Sequence, residues 1–198
     1  MIKRLGNVQE HLDFAKEINS DPCYHIPIYS SDEELFSRLQ DAPSQSNKLV
    51  LGYFQQDTIL GLFVFFVEGS EQYLEMLMSF SRLPEAYEEL LAFLKARYPG
   101  WQCDFVYNPG NLFLHSQLER LAAAFDPEQQ KMALAGETAW EGEPQAELYS
   151  PRHREGYTAI HATDMYWTAE KILDAPERFR VILAVEEGEV VGYIDITT

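Results

Sequence analysis

Two stretches of the chain carry one pattern 131 residues apart. VLGYFQQDTILGLFVF, residues 50–65, aligns with VILAVEEGEVVGYIDI, residues 181–196, without a gap: Val181 falls on Val50, Val185 on Phe54, Gly192 on Gly61 and Ile196 on Phe65. Each stretch is an apolar run, a polar turn and a second apolar run with a glycine early in it, which is the pattern of a β-hairpin. Few residues are identical. What repeats is the apolar spacing, the turn and the glycine. The offset is too long for a solenoid, whose units run to about 20–50 residues. The chain therefore reads as a duplicated domain, with the second copy expected to be incomplete.

The rest of the sequence supplies the elements around the first hairpin. A short strand at Met1 to Leu5 leads into an amphipathic helix with Val8, Leu12, Ala15 and Ile18 at helical spacing, closed by Asn19-Ser20-Asp21-Pro22. Ser31 opens a second helix, and Glu34 three residues on fits a capping box. LVLGYF, TILGLFVFFV and QYLEMLMSF then read as an antiparallel meander over 49–80. Pro84 starts a helix that Pro99-Gly100 stops, and WQCDFVY is a further core strand. NPGN at 108–111 turns the chain into LFLHSQLERLAAAF, and QKMALAGETAW is expected to be a last strand. The order is β, α, α, β, β, β, α, β, α, β. Polar EGEPQ marks a linker, which divides the chain into a domain at 1–140, a linker at 141–146 and a partial second domain at 147–198. In that second part AELYSPRH is strand-like, and a helical stretch ends near Asp174-Ala175-Pro176.

Charge narrows the partners. Fifteen basic residues against 32 acidic ones give a formal charge of −17, which repels nucleic acid and anionic membrane and leaves amine or cationic partners open. The N-terminal MIKRLGNVQEHLDF lacks the apolar core of a signal peptide, and the longest apolar run, ILGLFVFFV at 59–67, is well short of the roughly 18 residues a spanning helix needs. A cytoplasmic location is the expectation, and with it two reduced, buried thiols at Cys23 and Cys103.

The strand-turn-strand with its early glycine, together with the order of elements over 1–140, resembles the GNAT superfamily of N-acetyltransferases. Its implied fold is α/β of the α+β type, with a mixed, mostly antiparallel central sheet flanked by helices and a splayed fifth strand, here followed by the first part of a second such unit. The resemblance is to tandem members, whose N-terminal half is often degenerate. It implies acetyl-CoA as co-substrate and acyl transfer from the thioester to a small-molecule or peptide amine. The family's cofactor loop is Gln or Arg, two residues, Gly, any residue, then Gly or Ala, placed where backbone N–H groups at a helix start cradle the pyrophosphate. Here the position reads SFSRLPEAYEEL, with no glycine and with Glu85 in the first helical turn, where a carboxylate stabilises the helix and repels phosphate. Arg82 is the cation left to compensate. The alternative that follows is a GNAT-like module that binds a ligand or partner without catalysis.

The resemblance also implies site residues. Tyr73, Glu75, Leu77 and Ser79 alternate along one strand face, and Glu75 stands where many members carry the base that takes the amine proton. Met78, Ser79 and Phe80 are implied to offer backbone to the acyl-pantetheine arm, with Arg82 and Asn108 nearby. His115, seven residues after Asn108, takes the place of the family's tyrosine acid. Tyr73, Tyr166 and Trp167 are implied to line the acceptor side. His153 and His161 do not have the spacing of a zinc helix and no cysteine accompanies them, so no metal is expected. Because an uncovered outer strand rich in β-branched residues invites pairing, Val190 to Ile196 is expected to be covered, by the first domain or by a homodimer partner.

Overall fold

A computed structural model describes residues 1–126, 146–162 and 167–197. The chain divides into two compact units, Met1–Ala133 and Leu134–Thr198. The strand expected at QKMALAGETAW lies outside the described residues, as does all of the expected linker but Ala146, which begins a strand. No helix among the described residues is long and apolar enough to cross a membrane.

The first unit runs β1 (Ile2–Arg4), α1 (Leu12–Asn19), α2 (Asp32–Asp41), β2 (Lys48–Gln55), β3 (Thr58–Glu68), β4 (Tyr73–Phe80), α3 (Pro84–Arg97), β5 (Gln102–Phe105) and α4 (Leu112–Arg120). These five strands form one sheet in sequence order. β1 to β4 pair antiparallel, β1 joined to β2 through α1 and α2 and the next two pairs through short turns, whereas β5 returns parallel to β4 because α3 carries the chain back across the sheet. The α1 stripe of Leu12, Ala15 and Ile18 and the α2 pair Leu35 and Leu39 bury on one face, with Val64 and Met78. On the other face Ala86, Leu90 and Leu94 of α3 and Leu114 and Leu118 of α4 cover Leu51, Phe63 and Phe65. The class is α+β, a mixed, mostly antiparallel sheet with helices on both faces.

One irregularity reorders β4. Val64 pairs with Met78 and Phe65 with Met76, so Leu77 is an extra residue, a β-bulge. Side chains on a strand alternate, so Met76 and Met78 should share a face. The bulge separates them: Leu74 and Met76 join the α3/α4 side, Met78 and Phe80 the α1/α2 side. Ser79 consequently points away from Glu75 and towards Tyr87, which corrects the expected common face of Tyr73, Glu75, Leu77 and Ser79.

The second unit holds β6 (Ala146–Leu148), α5 (Arg154–Ile160), α6 (Ala169–Leu173), β7 (Phe179–Glu186) and β8 (Glu189–Thr197), with an antiparallel sheet in the order β6, β7, β8. It repeats β1-α1-α2-β2-β3 in kind and order, with a shorter connection between its first two strands. The agreement reaches individual hydrogen bonds. Tyr53 pairs with Gly61 ahead of a register shift, and Ala184 pairs with Gly192 ahead of the same shift, each 131 residues later. The turn residues Gln56 and Glu187, at the same offset, both adopt positive φ, 54° and 50°. Leu5 N donates to Val50 O at 2.9 Å, and Tyr149 N to Val181 O at 2.9 Å.

The repeat stops at the covering layer. Phe63 and Phe65 are fully buried under α3, but Ile194 and Ile196, which stand at their positions, are 61% and 41% exposed. The opposite face packs on α5 and α6 through Tyr157, Ala169, Ile172 and Leu183. α5 itself is not visible in the sequence pattern. Gly156 within it lets the helix approach β8, since a Cβ there would stand 2.8 Å from Val190 Cγ2.

Candidate functional site

The parting of β4 and β5 organises the first unit. Their ladder runs from Tyr73 and Gln102 to Met76 and Phe105, followed by Val106 N donating to Met76 O at 3.4 Å. Beyond that point β4 continues to Phe80 paired with β3, while the segment after β5 turns away through Tyr107–Gly110 into α4. The β5-facing edge of 77–80 thus has no strand partner among the described residues. The bulge at Leu77 lies where the strands separate.

Glu75 is half-buried on the α1/α2 side of this fork and faces Asp104 across the ladder. Tyr73 donates its hydroxyl to Asp104 Oδ2 at 3.0 Å, and Gln102 Nε2 donates to Asp104 Oδ1 at 3.1 Å. Tyr29 lies close by, its phenol pushed up to about 12, chiefly by burial against the opposing pull of Arg38, with Glu34 and Glu75 adding to the rise.

His115 lies on the opposite face. Its Nδ1 is 2.7 Å from the Tyr107 hydroxyl, and its Nε2 is 3.8 Å from Glu119 Oε1. Phe125 packs on the imidazole with ring centroids 4.8 Å apart. Burial, aided by the Glu119 charge, raises the Tyr107 phenol above its ordinary range. A histidine between a carboxylate and a hydroxyl can pass a proton to or from that hydroxyl. Sequence reasoning missed Tyr107, which lies at the end of the strand-like WQCDFVY with nothing local to mark it. The structure does not put Glu75 and His115 on one face of the sheet.

The start of α3 is occupied by the protein itself. Ser81 Oγ accepts from Leu83 N at 3.2 Å and donates to Leu60 O at 2.7 Å. Tyr87, fully buried, donates to Ser81 O at 2.9 Å and accepts from Asn111 Nδ2 at 2.7 Å. Arg82 turns to α1, donating from Nη1 to Glu17 Oε1 at 2.9 Å and from Nη2 to the Glu17 carbonyl at 3.0 Å. Asn108 Nδ2 donates to the carbonyls of Pro22 and His25 at 2.9 and 3.2 Å, and its Oδ1 accepts from Gly110 N at 2.9 Å. Asn108 therefore holds the connection between α1 and α2, and Arg82 holds the end of α1 that leads into it. Met78 and Phe80 are buried core residues, and Ser79 is buried against Tyr87.

The remaining candidates fall in the second unit. Tyr166 lies outside the described residues. Trp167 packs on Phe179, centroids 5.0 Å apart, under the Arg178 guanidinium at 4.4 Å. His153 accepts from Ser150 N at 3.1 Å, closing the turn before α5. His161 Nε2 is 3.3 Å from Asp195 Oδ2, and Asp195 Oδ1 accepts from the Tyr157 hydroxyl at 2.9 Å. Among the described residues no three His, Cys, Asp or Glu side chains are grouped to hold a metal ion. The expected pair of buried thiols is corrected at one position: both cysteines are free, but Cys23 is exposed.

No family model and no curated protein matches the sequence. A solved integron cassette protein from the mobile metagenome of V. cholerae is similar over 69% of this chain and 92% of its own, at 16% identity and a TM-score of 0.40.

Proposed function

We propose that the first unit is a GNAT-like acyltransferase domain that takes the extended arm of an acyl thioester such as acetyl-CoA into the fork between β4 and β5 and transfers the acyl group to an amine. The observation that carries this reading is the parting itself. A strand edge whose partner leaves after Met76 offers backbone donors and acceptors to an extended chain, as sheet edges do for peptides. In this role Glu75 takes the amine proton, directly or through water, on the α1/α2 side. The Tyr107–His115 pair supplies a proton to the departing thiolate from the α3/α4 side, and a ligand threaded through the fork touches both faces. The acceptor is a small-molecule or peptide amine, in keeping with the formal charge of −17.

A second reading is favoured by the start of α3. Ser81 already satisfies Leu83 N, Glu85 stands in the first turn and Arg82 is committed to Glu17. A pyrophosphate placed there meets no glycine loop and one carboxylate. On this reading the unit binds a ligand or partner without catalysis. Calorimetry with acetyl-CoA, followed by acetylation of an amine panel, separates the two. Saturable heat with turnover that Glu75→Gln reduces at least tenfold supports the enzyme. No heat at millimolar acetyl-CoA removes it.

A further inference from the structure

The connection between α1 and α2, residues 20–31, is fastened to both arms of the fork. On the β4 arm Arg82 bonds Glu17 twice at the end of α1, and its Nε lies 3.5 Å from Asp21 Oδ2 within the connection. On the β5 arm Asn108 holds two of its carbonyls, Pro22 and His25. Gly110 comes so close that a Cβ there would be 3.0 Å from Cys23 Cα. Just past these latches Ile26 is 4% exposed, packed in the same cluster as Met78 and Phe80, and its N–H donates to the buried Asn19 side chain at 2.9 Å. Tyr24 and Tyr29 pack against that cluster. The connection thus runs from the end of β4 to the turn after β5, across the opening through which an extended ligand would enter.

We infer that residues 20–31 are a strap that keeps the fork shut in the ligand-free chain, and that ligand enters by releasing its Asn108 and Arg82 latches. This inference rests on the fork being the ligand site. The latches are polar contacts of partly exposed residues, which open locally far more readily than the buried ladder of β2 and β3. A ligand that needs the open form binds more weakly by the fraction of chains that are open.

The test uses the close approach of Gly110 to Cys23. A Cβ at 110 would lie 3.3 Å from Cys23 Cβ, just under the roughly 3.5–4.5 Å span of disulfides, so a slight outward shift of the turn brings the pair into bonding range. Gly110→Cys oxidised with diamide ties the strap to the turn, and dithiothreitol releases it. Acetyl-CoA is expected to bind the reduced form at least tenfold more tightly than the oxidised form, with no difference in native protein treated alike. Equal affinity for the two forms overturns the strap. If neither form binds acetyl-CoA, the ligand reading fails, and hydrogen exchange of the native chain decides the strap alone. The Tyr24 and Ile26 amides are expected to exchange at least tenfold faster than the paired amides of β2 and β3, and faster again in Asn108→Ala. Exchange of those two amides only together with the sheet overturns it.

Discussion

A single methyl group tests how closely α5 sits on β8. Alanine in place of a helical glycine normally stabilises by roughly 0.8–1 kcal/mol. At Gly156 the added Cβ would meet Val190 Cγ2 at 2.8 Å and Val190 Cβ at 3.0 Å. Valine is stiff at χ1 and cannot swing aside. Overpacking outweighs propensity, so Gly156→Ala is expected to cost about 1–3 kcal/mol and to lower the Tm of the native chain. An unchanged or raised Tm would show that α5 has room to shift. The two thiols make a second case. Burial, with the Asp104 charge adding, pushes Cys103 up to about 12, while Cys23 is exposed. Because thiolate is the reactive form, a thiol-specific dye at pH 8 is expected to label one cysteine quickly and the second only after denaturation. Two equivalents reacting at one rate in the native protein would count against it. Burial was the expectation for both, and the exposure of Cys23 was not legible in the sequence, since it depends on segments that meet only in the fold.

Among the elements, those marked by periodicity and by proline or glycine were legible: the meander over 49–80, Pro84 at the start of α3, and the NPGN turn into α4, where the structure adds that Asn111 caps the helix through its bond to Leu114 N. α5 was not, because seven residues with a glycine and a β-branched threonine give little local signal, and packing on β8 sustains it. Ser31 is half of the expected capping box. Its hydroxyl accepts from Glu34 N at 3.2 Å, but the Glu34 carboxylate reaches Ser30 N instead of Ser31 N. The bulge in β4 was hidden for a plainer reason, since alternation in sequence assumes a regular partner strand. It also leads to a prediction. Deleting Leu77 leaves Met78, Ser79 and Phe80 on their present faces, because the residue removed is the unpaired one. Deleting Phe63 from β3 turns the residues beyond it to the wrong faces. The Leu77 deletion is therefore expected to fold, with a lowered denaturant midpoint, and the Phe63 deletion to show no cooperative unfolding transition. Equal behaviour of the two would mean that the bulge does not set the phase of β4. Of the candidate site, Glu75 and His115 were legible as residue types. Their placement on opposite faces, and the tether of Asn108 to carbonyls 86 and 83 positions earlier, were not.

At the scale of the whole molecule, buried weak acids set the alkaline limit. Cys103 rises from about 9 to about 12, and Tyr29 and Tyr87 from about 10 to about 12, in each case chiefly through burial. Each keeps its proton longer when folded than when unfolded, so the folded chain holds more protons across this window. The stability these groups contribute is complete below pH 9 and declines as pH rises from about 9 to about 12. Denaturant midpoints are expected to fall progressively over that range, and Cys103→Ala to remove the portion of the fall that begins before the tyrosines titrate. Midpoints constant from pH 8 to 11 would contradict the burial on which the prediction rests.

The matched register of the two hairpins also bears on how such a chain can change over generations. The shift after Tyr53 recurs after Ala184, and the turn at Gln56 recurs at Glu187. An unequal genetic crossover between the two copies, anywhere within 50–65 and 181–196, therefore joins one strand to the other in phase. Its products differ in the number of copies, and neither has a strand whose inward and outward side chains have been exchanged.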